Sequence, residues 1–125
     1  MLYFQTVITR IGVEVQSLLA GGVLILFSDG APAELADVSI LHRVAHVDAR
    51  VPRIGAVLRI GAIRAVVTAV GPGAWNKMGE LGHVVITFND ARFDERPGVI
   101  CASTIDGAML FNGLSRGTVI ELLDA

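Results

Sequence analysis

Apolar residues along this chain come in short runs cut by glycine and proline, and the runs predict strands more often than helices. Tyr3 to Ile11 is rich in aromatic and β-branched residues and stops at Gly12, which predicts a first strand. Val13 to Leu19 carries apolar positions at Val15, Leu18 and Leu19, the spacing of one or two helical turns, and Gly21-Gly22 ends it. Val23 to Phe27 is a continuous apolar run of strand length, closed by the turn residues Asp29-Gly30-Ala31-Pro32. Ala33 to Val38 suits a single helical turn, with Pro32 near its first position. Ile40 to Val47 is a third strand, and Pro52 lies beyond its end.

Val57 to Ile60 and Ile63 to Val70 flank Gly61-Ala62 and read as a hairpin. Gly71-Pro72-Gly73 breaks the chain, and Trp75 to Gly79 is irregular or a short helix. His83 to Phe88 alternates, with Val84, Ile86 and Phe88 on one face and His83, Val85 and Thr87 on the other. Val99 to Ala102 and Thr118 to Leu123 supply the last strands. Seven or eight short strands divided by glycine turns predict an all-β sandwich or barrel.

Composition narrows this further. A chain of 125 residues suits one domain, spanning 1–125, and 53% hydrophobic residues are enough for a core and too many for disorder. The net charge of −2, with nine scattered arginines and the single Lys77, carries no electrostatic footprint for nucleic acid. One cysteine, Cys101, excludes an internal disulfide and a cysteine-cluster metal site, and in its apolar surroundings it reads as a strand residue. No apolar run reaches about 18 residues, so no transmembrane helix is expected, and the protein reads as cytoplasmic. The start Met1-Leu2-Tyr3-Phe4-Gln5 resembles part of a protease-site tag, yet it also reads as the start of a native strand and is kept as one.

Two histidines, His42 and His83, are the candidates for chemistry, because imidazole titrates near neutrality and can act as a nucleophile. His42 and His46 would pair on a helix as zinc ligands do, but Arg43 stands where a metalloprotease has its glutamate. On a strand the two lie about 13 Å apart, too far to share an ion held at about 2 Å. Strand alternation puts Ile40, His42, Val44 and His46 on one face. There His42 is either a satisfied core histidine or an exposed imidazole with an apolar rim that shields a labile bond from water. His83 and Thr87, on one face, could donate hydrogen bonds to a phosphoryl group, or His83 could simply bond a loop carbonyl. Gly71-Pro72-Gly73 lacks the lysine and hydroxyl of a phosphate-binding loop, and no nucleophile elbow occurs.

Taken in order, Gln5 to Gly12, Phe27 to Leu35, the apolar pair before His42, Thr68 to Gly71, Glu80 to His83, and Pro97-Gly98 resemble the glucitol/sorbitol-specific IIA component of the phosphoenolpyruvate-dependent sugar phosphotransferase system. The resemblance implies a small, partly closed β-barrel of seven or eight short strands with one or two short helical turns. It implies a carrier that takes a phosphoryl group from the phosphohistidine of HPr onto His42 and passes it to the IIB unit of a IIB/IIC polyol transporter. No cofactor and no metal are implied; homo-oligomer formation and the identity of the polyol stay open. Where the family often has a second histidine, two positions on, this chain has Val44, so a role for His46 is not carried over and His83 is the expected supporting group. The alternative is a non-catalytic regulatory or binding module that kept the barrel, and a zinc hydrolase is a distant third.

Overall fold

The computed structural model describes residues 1–93 and 96–125. Its strands are β1 (Leu2–Ile11), β2 (Val23–Ser28), β3 (Ile40–Val47), β4 (Val57–Ile60), β5 (Ile63–Val70), β6 (Val84–Thr87), β7 (Val99–Ala102) and β8 (Val119–Leu123). They close into a barrel in the order β1-β3-β2-β6-β7-β5-β4-β8. Helices α1 (Val15–Ala20), α2 (Ala33–Val38), α3 (Ala74–Leu81) and α4 (Gly107–Asn112) fill the connections. Most pairings are antiparallel, but β2 with β3 and β6 with β7 run parallel, and α2 is the crossover of the first of these pairs.

The expected strands all form, and the barrel closes fully, which removes the unpaired edges a partly open sheet would leave. Inward residues Ile8, Leu24, Leu26, Ile40, Val67, Val84 and Ile120 make the shared core. Each buried aliphatic side chain of this size stabilises the fold by about 1.5–3 kcal/mol. The hairpin at Gly61-Ala62 pairs Ile60 with Ile63, and Gly61 supplies the positive φ of +57° that the two-residue turn needs. On the outer surface Glu121 accepts from Arg59 and Gln5, tying β4, β8 and β1 together.

Among the described residues four short helices form, where one or two helical turns were expected. Ala74, Trp75 and Met78 bury one face of α3, and the Trp75 indole N–H donates to the Asp48 carbonyl at 2.6 Å. In α4, which the hydrophobic pattern missed, Asp106 caps the N-terminus by accepting from the Met109 amide at 3.0 Å, and Leu110 is fully buried. Six residues are too few for a clear helical period, so the cap was its one legible signal.

The expectation that His42 and His46 share a face is corrected by a bulge. Register in the β1–β3 ladder shifts between Gln5, opposite His46, and Thr6, opposite Val44, leaving Ala45 as an extra residue. Val44 and Val47 therefore both pack toward the core, and His46 is turned outward and exposed.

Candidate functional site

β3 carries Ile40 and His42 on its inner face, so the His42 ring enters the barrel beside Phe4, edge to face at 5.9 Å. It is 1% exposed, and the exposed, apolar-rimmed imidazole considered from the sequence is not what forms. Nε2 lies 2.7 Å from the Gly82 carbonyl and Nδ1 lies 2.9 Å from Thr6 Oγ1. A carbonyl oxygen only accepts, so Nε2 carries the ring proton and donates it to Gly82. In the neutral ring Nδ1 is then the acceptor, and the Thr6 hydroxyl donates to it.

Burial, the dominant influence, pushes the His42 pKa below 6.5, while the Gly82 carbonyl and the Asp29 charge pull the other way. The ring is neutral at pH 7. A neutral imidazole is what a nucleophile requires, since the protonated ring has no free lone pair.

Gly82 forms the cap over Nε2. It ends α3 in the left-handed conformation, φ +63°, with its amide bonded to the Met78 carbonyl at 3.0 Å. A Cβ there would sit 2.1 Å from Ser28 Oγ and 3.4 Å from His42 Nε2, so the close approach of backbone to imidazole needs glycine. Parallel pairing sets Ser28 opposite His42, and Ser28 Oγ donates to the Leu81 carbonyl at 2.7 Å. The two ring nitrogens thus face different surroundings. Nδ1 looks toward fully buried Thr6, whereas Nε2 looks toward a loop whose flanking residues, Leu81 and His83, reach solvent.

His83 follows that glycine directly. The expected alternation of its strand holds, with Val84, Ile86 and Phe88 inward, and the half-buried His83 ring lies over Phe27 at 4.8 Å. Partial burial, and then the positive charge of Lys77, hold its pKa below the usual value. Its ring shares none of the hydrogen bonds of His42, so the loop brings the two residues together through Gly82 and not ring to ring. His46 bonds the Leu2 carbonyl at 3.2 Å on the outer surface, on the opposite face from His42. Arg43 and Asp29 form an exposed ion pair at 3.9 Å beside the site, and Thr9 donates to Asp29. Such an exposed pair adds little stability.

Thr6, Ser28 and the Gly82 carbonyl were not singled out from the sequence. A signal existed for Thr6, a hydroxyl between Phe4 and Ile8 on the otherwise apolar inward face of β1. A backbone carbonyl leaves no such mark.

The family description "PTS system glucitol/sorbitol-specific IIA component" matches residues 3–120 of this chain. The "PTS system glucitol/sorbitol-specific EIIA component" of Shigella flexneri is 36% identical over 97 residues, which cover 78% of this chain and 78% of that protein. The protein of the same name from Escherichia coli (strain K12) is similar to the same extent. Among solved structures, a PTS system IIA component from Enterococcus faecalis V583 superposes with a TM-score of 0.78 at 23% identity, covering 95% of this chain and 98% of that one. At that identity the superposition speaks to the fold. Among the described residues, no helix is long and apolar enough to cross a membrane.

Proposed function

Because this chain belongs to the glucitol/sorbitol-specific IIA component family of the phosphotransferase system, and is one of its phosphocarriers, we propose that His42 accepts the phosphoryl group on Nε2. The observation that carries this reading is the pair of contrasting environments around one neutral ring. Nδ1 is anchored inside the barrel by Thr6, while Nε2 meets only a glycine carbonyl in a loop at the surface. Anchoring one nitrogen orients the other, and phosphoryl-transfer catalysis rests on positioning together with charge stabilisation.

The donor is the phosphohistidine of HPr and the receiver is the IIB unit of a polyol transporter; the site of action is the cytoplasm. Transfer begins with the Gly82 carbonyl withdrawing from Nε2, since the carbonyl occupies the direction from which phosphorus must approach. The ring proton moves from Nε2 to Nδ1; the freed Nε2 lone pair then attacks in line, the donor's P–N bond breaks, and its electron pair returns to the donor ring. His83, neutral at pH 7 and half-exposed on the same loop, is the supporting group and donates a hydrogen bond to a phosphoryl oxygen. The polyol meets the transporter and not this chain. The reading as a non-catalytic binding module is not favoured, since the family match runs through nearly the whole chain.

The test is intact mass after incubation with phosphoenolpyruvate, enzyme I and HPr. One acid-labile phosphoryl group is expected on the wild type and none on His42→Ala. His83→Ala is expected to accept the group more slowly, by about tenfold to a hundredfold for a lost hydrogen bond to a charged oxygen. Labelling that survives His42→Ala would move the site, and an unchanged rate in His83→Ala would remove the supporting role.

A further inference from the structure

We propose that Thr6 is a positioning residue for phosphoryl transfer: its hydroxyl donates to His42 Nδ1 in the resting chain and turns to accept from Nδ1–H once Nε2 holds the phosphoryl group. The inference rests on His42 being the acceptor and adds a residue with a role of its own.

Thr6 is fully buried on the inner face of β1, flanked by Phe4 and Ile8, and the oxygen is its only polar side-chain atom. That oxygen lies 2.9 Å from Nδ1, a distance that serves O–H···N and N–H···O alike. The resting bonds hold the ring in the wrong tautomer for attack from Nε2, because the proton sits on the nitrogen that faces Gly82. Once the Gly82 carbonyl withdraws, Nε2 gives up its proton to solvent and Nδ1 takes one up in exchange, so the ring remains neutral. Attack then forms the Nε2–P bond as the P–N bond of the phosphohistidine donor breaks. His42 becomes an imidazolium carrying Nδ1–H, and the donor ring leaves neutral.

Nδ1 therefore needs a donor before the exchange and an acceptor after it. A hydroxyl meets both needs by rotating about its C–O bond, with no heavy atom displaced. A carboxylate at this position would favour the protonated ring at rest and remove the nucleophile. A methyl group in place of the hydroxyl would fit the apolar wall but leave Nδ1 buried and unpaired in both states.

The test combines ring ¹⁵N shifts of histidine-labelled protein with single-turnover rates from phosphorylated HPr, for wild type, Thr6→Val, Thr6→Ser and His42→Ala. Resting wild type is expected to show a protonated Nε2 and an unprotonated, hydrogen-bonded Nδ1, and the phosphorylated protein a protonated Nδ1. Thr6→Val is expected to move the Nδ1 signal and slow transfer by about tenfold to a hundredfold, with Thr6→Ser restoring both. Should Thr6→Val not fold, the wild-type shifts and the Thr6→Ser rate still decide: a proton on Nδ1 at rest, or a serine variant slowed by about tenfold or more, overturns the role. Thr6→Val transferring at the wild-type rate with Nδ1 unmoved overturns it too, and leaves His42 as acceptor if His42→Ala stays unlabelled. A labelled His42→Ala overturns the acceptor and the Thr6 role together.

Discussion

His42 is buried like a structural histidine and bonded like a poised one, and its burial has a measurable consequence. The folded-state pKa lies below 6.5, so between the folded and unfolded values the unfolded chain binds more protons. Stability from this ring is therefore fully present above about pH 6.5 and is lost as pH falls through the depressed value. Urea midpoints of wild type are expected to drop between about pH 7.5 and pH 5.5 more steeply than those of His42→Gln. His83 is shifted in the same direction, but it is common to both proteins and cancels in the difference. Equal slopes would mean the ring is not held neutral by burial. At this scale the sequence disclosed which residue type to examine and little of its setting. Alternation placed Ile40 with His42 correctly, but nothing local told the inner face of the barrel from the outer. Nor did any residue pattern announce the bulge at Ala45 that turns His46 away.

The element that matters most is the C-terminal end of α3, where Gly82 closes over Nε2. Gly82→Ala places a Cβ against Ser28 Oγ in a left-handed backbone, so a loss of about 1–3 kcal/mol is expected in thermal or urea unfolding. Gly79→Ala, in the same helix with nothing within 4 Å of the added Cβ, is expected to gain roughly 0.5–1 kcal/mol. Similar effects at the two positions would contradict the tight fit of the cap. The motif Glu80-Leu81-Gly82-His83 was visible in the sequence as part of the resemblance, yet the attention it drew fell on the histidine. The glycine and its carbonyl are what touch His42. Strands were legible because β-branched runs between glycines mark them directly; α4, six residues long, offered only its Asp106 cap.

For the whole molecule, closure of the barrel is what turns eight short strands into one rigid wall around the ring of His42. Core and surface should therefore respond very differently to truncation. Leu26→Ala, in the shared core, is expected to lose about 2–5 kcal/mol. Val66→Ala, 43% exposed on the outer face of β5, is expected to lose under about 1 kcal/mol; comparable losses would contradict the described core. The number of strands could be counted from the sequence, but their order around the barrel and the two parallel pairs could not. Those depend on contacts between segments far apart in the chain, which local periodicity does not encode. The same long-range pairing brings Thr6, Ser28, His42 and Gly82 from four elements to one point. The most direct test of that convergence is phosphorus–nitrogen coupling in the phosphorylated, ¹⁵N-histidine-labelled protein. Coupling of phosphorus to Nε2 of His42 is the result this account expects. Coupling to Nδ1, or to the ring of His46 or His83, would contradict it.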